Sequence, residues 1–234
     1  MLFSYKIANL IVQMSTHGKT LRQAEPYRIP DSPEPDIIIT SRADLLKERH
    51  PYLPEDSCEY LSTGSSFYRQ LLRFDGMMLH SSAVVMDGRA YLFSAPSGTG
   101  KSTHTALWQQ VFGKDNAVIL NDDKPALRRE NGQFFAYGTP WSGKTDLNRN
   151  MRVPLGGICM LHRGGVNRIE PYGGAAAVHA ILEQTSRVRD EAFMTKLLDL
   201  IAALLDEVPV WRMECNMDPE AARMSHRVMS GGNL

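Results

Sequence analysis

The order of apolar and polar residues along the chain predicts a mixture of strands and helices. "YKIANLIVQM" (5–14) and "PDIIIT" (35–40) are β-rich runs, and the Pro-rich stretch "YRIPDSPEPD" (27–36) between them reads as a linker. Ser41 to His50 predicts a short helix, with Ser41 as its cap and Pro51 as its stop. "SSFYRQLLRF" (65–74) places Phe67, Leu71, Leu72 and Phe74 at mostly helical spacing. From Met78 the texture changes. "LHSSAVVMDGRAYLFSA" is two β runs joined by Asp87-Gly88, a pair suited to the positive φ angles of a tight hairpin. "STHTALWQQVF" (102–112) is helical, with Ala106, Leu107 and Val111 available to a core. "NAVILNDD" is a short apolar strand ending in two carboxylates. A second hairpin is expected around Asn131-Gly132, then a polar stretch, "GTPWSGKTDLNRNMR", and a strand, "VPLGGICMLHR". Helices over 190–205 and 219–229 close the chain, the second with Asp218 as N-cap and Pro219 at its first position. The expected fold class is α/β with a mixed sheet, organised as a small β-rich region over 1–75 and a larger unit over 76–234.

Composition narrows the function classes. The chain has 234 residues, 43% hydrophobic and 22% charged, with 26 basic residues balancing 26 acidic ones. That balance offers no global attraction to nucleic acid or to an anionic membrane. The three cysteines, Cys58, Cys159 and Cys215, form no C-x-x-C pair, so they predict buried free thiols and not a zinc knuckle or disulfide framework. The N-terminal stretch lacks a basic n-region and a cleavage site, and no run approaches the roughly 20 apolar residues of a membrane span. A cytoplasmic protein is expected.

The chemistry begins at "YLFSAPSGTGKST". Ala95 to Ser102 fits the phosphate-loop pattern, with Ala where the first Gly usually stands. Gly98 and Gly100 let backbone N–H groups converge, and the helix that follows adds the positive end of its dipole. Lys101 supplies a charge for the β- and γ-phosphates, and Ser102 a hydroxyl for a Mg²⁺ shell. Ser97, Gly98, Thr99, Gly100, Lys101, Ser102 and Thr103 are therefore the expected nucleotide contacts. Asp122 and Asp123 stand at the end of an apolar strand some 20 residues on. One is expected to hold Mg²⁺ and the other to accept a proton from an attacking hydroxyl. His80, a single histidine in a β run, reads on spacing alone as a packing residue more readily than as a catalyst. In "GTPWSGK", Lys144 is a candidate phosphate contact. Trp141 offers either a ring to stack on a base or substrate, or an anchor in the core. This stretch is placed at the mouth of the site.

"LHSSAVVMDGRAYLFSAPSGTGKST" followed by "ILNDDKPAL" resembles the C-terminal catalytic domain of HPr kinase/phosphorylase, whose nucleotide-binding core is shared with ATP-dependent phosphoenolpyruvate carboxykinase. It is most similar to HPr-kinase-related proteins, which include kinases encoded beside some peptide natural-product clusters, such as lasso-peptide precursor kinases. The motifs span roughly Leu79 to Leu161. The resemblance implies a mixed-sheet P-loop kinase core, ATP and Mg²⁺ as cofactors, and phosphoryl transfer to a hydroxyl, either a Ser of a peptide or protein or a small-molecule alcohol. It implies Asp122 as general base and Asp123 as metal ligand, or the two exchanged. It also implies His80 near the γ-phosphate, and Arg149 or Arg152 against the transferred group. "YGTPWSGKTDLN" is not the loop by which HPr kinases grip HPr, so HPr is not the expected substrate, and carboxykinase chemistry is not expected because the second Lys/His metal constellation of carboxykinases is not evident. A nucleotide-responsive binding or regulatory module is the competing reading. A GTPase is disfavoured by the lack of an N-K-x-D motif, and homo-oligomerisation is left open.

Overall fold

The computed structural model describes residues 2–30, 34–186 and 188–232. The first β-rich run is a hairpin and not one strand: β1 (Phe3–Ile7) and β2 (Leu10–Met14) pair antiparallel. Ala8 and Asn9 turn between them, with φ of 51° and 60°. Neither residue is glycine, so the turn leaves little signal in the sequence. Strand β3 (Ile37–Ile39) joins β2 in parallel and forms the edge of this three-stranded sheet. Between β2 and β3 lies a helix absent from the sequence reading, α1 (Gly18–Ala24). Its buried residues are Thr20, Gln23 and Ala24, so no apolar period announces it. Residues 31–33 of the expected linker lie outside the described residues.

Helix α2 (Ala43–Arg49) ends just before Pro51, as expected. Its N-cap is Arg42 and not Ser41, although Ser41 Oγ accepts from the Ala43 N–H at 3.2 Å. Helix α3 (Glu55–Leu71) starts ten residues before the apolar pattern does, because its inward face opens with Cys58, Glu59, Thr63 and Gly64 before reaching Phe67. A 3₁₀ turn, Leu72–Phe74, closes it.

The second sheet contains β4 (Gly76–Met78), β5 (Ser81–Met86), β6 (Arg89–Ser94), β7 (Val118–Asn121), β8 (Ala126–Glu130), β9 (Gln133–Tyr137) and β10 (Arg152–Arg163). Their order is β4-β8-β9-β10-β6-β5-β7. The β5–β6 and β8–β9 hairpins turn at Asp87-Gly88 and Asn131-Gly132, all four at positive φ. Strand β10 begins antiparallel to β9, continues parallel to β6, and ends parallel to β12 (Val210–Cys215), which also pairs with β11 (Arg168–Pro171). The sheet is thus mixed. Helix α4 (Lys101–Phe112) follows β6, and α5 (Gly174–Glu183), α6 (Glu191–Glu207) and α7 (Pro219–Met229) complete the chain. Asp218 caps α7 by accepting from the Glu220 N–H. On α4 the core face is His104, Leu107 and Trp108, whereas Ala106 is exposed.

One apolar cluster joins elements from both sides of Gly76: Tyr5, Val12, Tyr27 and Phe67 pack with Ala126, Phe135, Tyr137 and Trp141. Trp141 is fully buried, so it is a core anchor and not a stacking surface for a ligand. Cys58 and Cys159 are buried free thiols, and Cys215 is only partly buried. Among the described residues, no helix is long and apolar enough to cross a membrane.

Candidate active site

Strand direction brings the candidate residues together. β5 runs antiparallel to both β6 and β7, so the C-terminal ends of β6 and β7 lie at the same end of the sheet as the start of β5. The loop after Ser94, the carboxylates after Asn121, and His80 to Ser82 therefore meet there. Such strand ends are where open α/β sheets hold ligands.

Gly98 and Gly100 take φ of +80° and +120°, which opens the loop between β6 and α4. The first bond of α4 runs from the His104 N–H to Gly100 O, so the amides of Lys101, Ser102 and Thr103 keep no backbone partner. Ser97 and Gly98 are exposed, as are the side chains of Ser102 and Thr103, while Thr99 and Gly100 are half-buried. Lys101 is buried and folds back on its own loop, donating to Ala95 O at 2.9 Å. Burial holds its ammonium below the ordinary lysine value, while the charges of Asp123 and Asp122 oppose that shift.

Asn121 builds the turn that presents the carboxylates, because its Oδ1 accepts from the N–H groups of Asp123 (2.9 Å) and Lys124 (2.7 Å). Asp122 is 7% exposed, and both its oxygens meet hydroxyls: Oδ1 with Ser82 Oγ at 2.5 Å and Oδ2 with Thr145 Oγ1 at 2.8 Å. Ser82 Oγ also touches Thr105 Oγ1 of α4 at 2.7 Å, so a line of hydroxyls ties Asp122 to the helix that follows the loop. Asp123 is held differently. Its Oδ1 lies 3.3 Å from His80 Nε2, and its Oδ2 accepts from Tyr60 OH at 2.7 Å and from Lys124 Nζ. Burial alone would raise this carboxyl. The hydrogen bonds from His80, Lys124 and Tyr60, with the Lys124 charge, instead hold it well below the usual carboxylate range. Burial and the Asp123 charge push the Tyr60 phenol up, which keeps it a donor. His80 is completed by Gln184 Oε1, 3.2 Å from Nδ1. It is therefore a partner of Asp123 and not a packing residue.

The polar turn after Trp141 lies against both acids. Thr145 bonds Asp122, and Gly143, at φ +74°, approaches so closely that a Cβ there would stand 2.9 Å from Asp123 Cβ. The turn is held from the N-terminal region, where Gln23 Nε2 reaches Ser142 Oγ at 3.1 Å and Tyr27 OH reaches Asn148 Oδ1 at 2.9 Å. Lys144 is exposed, and its side chain has no partner among the described residues. Arg149 lies beside the carboxylate strand, its N–H donating to Leu120 O at 2.9 Å and its exposed side chain without a partner among the described residues. Arg152 is not brought in. Its guanidinium lies 3.4 Å above the Phe135 ring and bonds Glu130 and Tyr137.

Several participants escaped the sequence reading. Ser82, Thr145 and Tyr60 come from three separate segments, and only the fold joins them to the acids. Arg163, at the end of β10, donates to the carbonyls of Gly98 and Thr99 and braces the loop. Its visibility depended on knowing that β10 runs parallel to β6. Beside the loop, an open cleft of about 490 Å³ is lined in part by Thr103, Leu107, Leu161 and Met217.

A family model described as "SynChlorMet cassette protein ScmC" matches residues 58–219, more than half of the chain. The chain belongs to this family. The match takes in most of α3, the loop and both carboxylates, so Asp122, Asp123 and the side chains bonded to them fall within the ScmC region, whereas Gln23 and Tyr27, which hold the turn, precede it. No curated protein matches the chain. Among solved structures it is similar to one titled "Structure of the Hpr(Ser) kinase/phosphatase from Coxiella burnetii", at 15% identity and a TM-score of 0.37, over 66% of this chain and 99% of that one. A likeness of that size leaves the function to be argued from the site's own residues.

The first turn of α4 carries one pH-sensitive group. His104 is buried, with Nε2 3.0 Å from Ser225 Oγ of α7, and burial pushes its imidazole down to about 4. A base lowered in this way stays neutral in the fold. Its stability contribution is full above the unfolded value of about 6.5 and is lost as pH falls toward 4, by up to about 3 kcal/mol. Urea unfolding at pH 7.5, 6 and 5 should show that decline, and His104→Gln should flatten it. Parallel curves for the two proteins would mean that His104 does not titrate across the transition.

Proposed function

We propose that this protein is an ATP- and Mg²⁺-dependent kinase that transfers the γ-phosphoryl group to a hydroxyl acceptor, either a Ser of a peptide or protein or a small-molecule alcohol. The observation that carries this reading is the convergence of Lys101, Asp122 and Asp123 at one end of the sheet, beside the first turn of α4, where the amides of Lys101, Ser102 and Thr103 have no backbone partner among the described residues. Those amides and Lys101 suit the β- and γ-phosphates, with Ser97, Thr99, Thr103 and Lys144 around them. The hard oxygens of Ser102 and Asp123 fit Mg²⁺. Mg²⁺ is commonly held by one or two carboxylates together with substrate phosphate oxygens. Lys124, which bonds Asp123 here, marks where positive charge is already accepted. Mg²⁺, when bound, neutralises charge on the phosphates.

The two acids divide the work by their surroundings. Asp123 is held down by its donors and is a poor proton acceptor but a good metal ligand. Asp122 has only hydroxyls as partners and serves as the base. It takes the acceptor's proton as the acceptor oxygen bonds to the γ-phosphorus. The bond from that phosphorus to the bridging oxygen breaks, and ADP leaves. Arg149 covers the charge on the moving group, and His80 with Tyr60 orients Asp123.

Calorimetry with Mg·ATP tests the donor half. Wild type is expected to bind with a saturable heat, and Lys101→Ala at least tenfold more weakly. Equal affinities would place the phosphates elsewhere. Tight binding without transfer to any acceptor would instead favour a nucleotide-responsive module.

A further inference from the structure

Helix α3 has two working faces. Tyr60, Thr63 and Phe67 look inward to the site and its supporting core. Leu61, Ser62, Ser65, Ser66 and Arg69 recur at the spacing of one helical stripe and form a wall of a groove of about 730 Å³, shared with β3 and α2. The serines are short, which keeps the groove open. Ile38, Leu45 and Leu61, 55%, 48% and 42% exposed, leave apolar side chains inside it.

The charge in this groove is one-sided. Arg42, Arg49 and Arg69 line it, and among the described residues no carboxylate does and none of the three guanidinium groups has an ion pair or hydrogen bond. The acids of α2, Asp44 and Glu48, line a different pocket, together with Lys47. In a chain whose basic and acidic residues balance at 26 each, three unanswered guanidinium groups are a local arrangement. Arg42 and Arg49 flank α2, their backbones about 10 Å apart at 1.5 Å per residue, so the positive charge is spread along the groove and not gathered at one point. An extended ligand matches that spread. β3 is the sheet edge along the groove, but Gln70 Nε2 already meets Ile38 O at 3.0 Å, so recognition rests on side chains more than on a backbone ladder.

We propose that this groove binds an extended acidic peptide segment that also carries apolar residues, laid along β3 between α2 and α3. The apolar floor takes the aliphatic side chains, and the guanidinium groups take the carboxylates. A concave groove suits a chain better than it suits a flat bilayer. This is a binding statement that stands apart from phosphoryl transfer.

The test uses the full chain and a fluorescein-labelled decapeptide alternating glutamate with leucine or valine, followed by anisotropy. A control peptide carries lysine at each glutamate position. Saturable binding of the acidic peptide is expected, with at least tenfold weaker binding of the control. Arg49→Glu/Arg69→Glu should lose at least tenfold with an unchanged urea midpoint, and Arg49→Gln/Arg69→Gln should lose less in the same direction. Absence of saturable binding, equal binding of the two peptides, or full binding by both double variants overturns the proposal. So does tighter, arginine-dependent binding to phosphatidylserine vesicles, which would make this a membrane surface. A dimer in sedimentation that the arginine variants abolish would place a second copy of the chain in the groove instead.

Discussion

Asp122→Asn is expected to lower phosphoryl transfer by about 10²- to 10⁴-fold, the usual contribution of a positioned general base, while leaving Mg·ATP affinity within about threefold of wild type, since the amide makes no direct contact in the proposed donor site. The substitution is gentle on the fold. Asn keeps one oxygen for Ser82, and its amide can donate to Thr145 Oγ1, whose hydroxyl rotates to accept. What it loses is the ability to take a proton. Asp123→Asn should differ in kind. It removes the carboxylate that His80, Tyr60 and Lys124 converge on, so its loss should appear mainly as a higher Mg²⁺ requirement that excess metal partly relieves. Transfer of ³²P from labelled ATP, measured across a Mg²⁺ titration for both variants, separates the two roles. If Asp122→Asn transfers at the wild-type rate and Asp123→Asn does not at any Mg²⁺ level, the roles are exchanged. If neither is slowed, the carboxylates do not act in transfer.

The parts of this site that were legible in the sequence are those with a local physical cause. Gly98 and Gly100 between a strand and a helix mark a loop through backbone freedom, and both take positive φ there. Asp87-Gly88 and Asn131-Gly132 mark hairpins because those residues accept positive φ, which they adopt here. Asp218-Pro219 begins α7 for the same kind of reason. The support around the carboxylates was not legible. Tyr60 reaches Asp123 across 63 positions, Ser82 reaches Asp122 across 40, and Thr145 reaches it across 23. None of these meetings has a periodicity or spacing of its own. Polar inward faces hid α1 and the first half of α3, since apolar period is the signal by which helices are found. Trp141 left two readings open, a ring at the site or an anchor in the core, and burial decides for the second. It stands in a polar, Gly-containing stretch that reads as a loop, yet the chain dips inward there.

That inward dip underlies the second large effect. Trp141→Ala should cost about 3–5 kcal/mol of stability, the range for truncating a buried Trp. The ring is fully buried, stacks on Phe67 at 4.8 Å between centroids, and meets Tyr68 edge-on at 5.5 Å. Gly64 permits the approach, because a Cβ there would stand 3.0 Å from Trp141 Cδ1. The indole N–H donates to Thr63 Oγ1 at 3.1 Å, but that hydroxyl also donates to Glu59 O at 2.8 Å, so losing the indole orphans no buried donor. The cost is therefore mainly cavity and lost contact. Trp141→Phe should keep most of the packing and lose the one hydrogen bond, worth about 1 kcal/mol, together with some volume. Equilibrium urea unfolding reads both. A midpoint for Trp141→Ala within error of wild type would contradict the buried, stacked ring. The same substitution loosens the turn that begins at Ser142, which carries Thr145 to Asp122 and Gly143 to Asp123. Under folding conditions Trp141→Ala should therefore also slow phosphoryl transfer, and Trp141→Phe should restore it more fully than it restores stability, because the turn needs the ring's bulk and not its N–H.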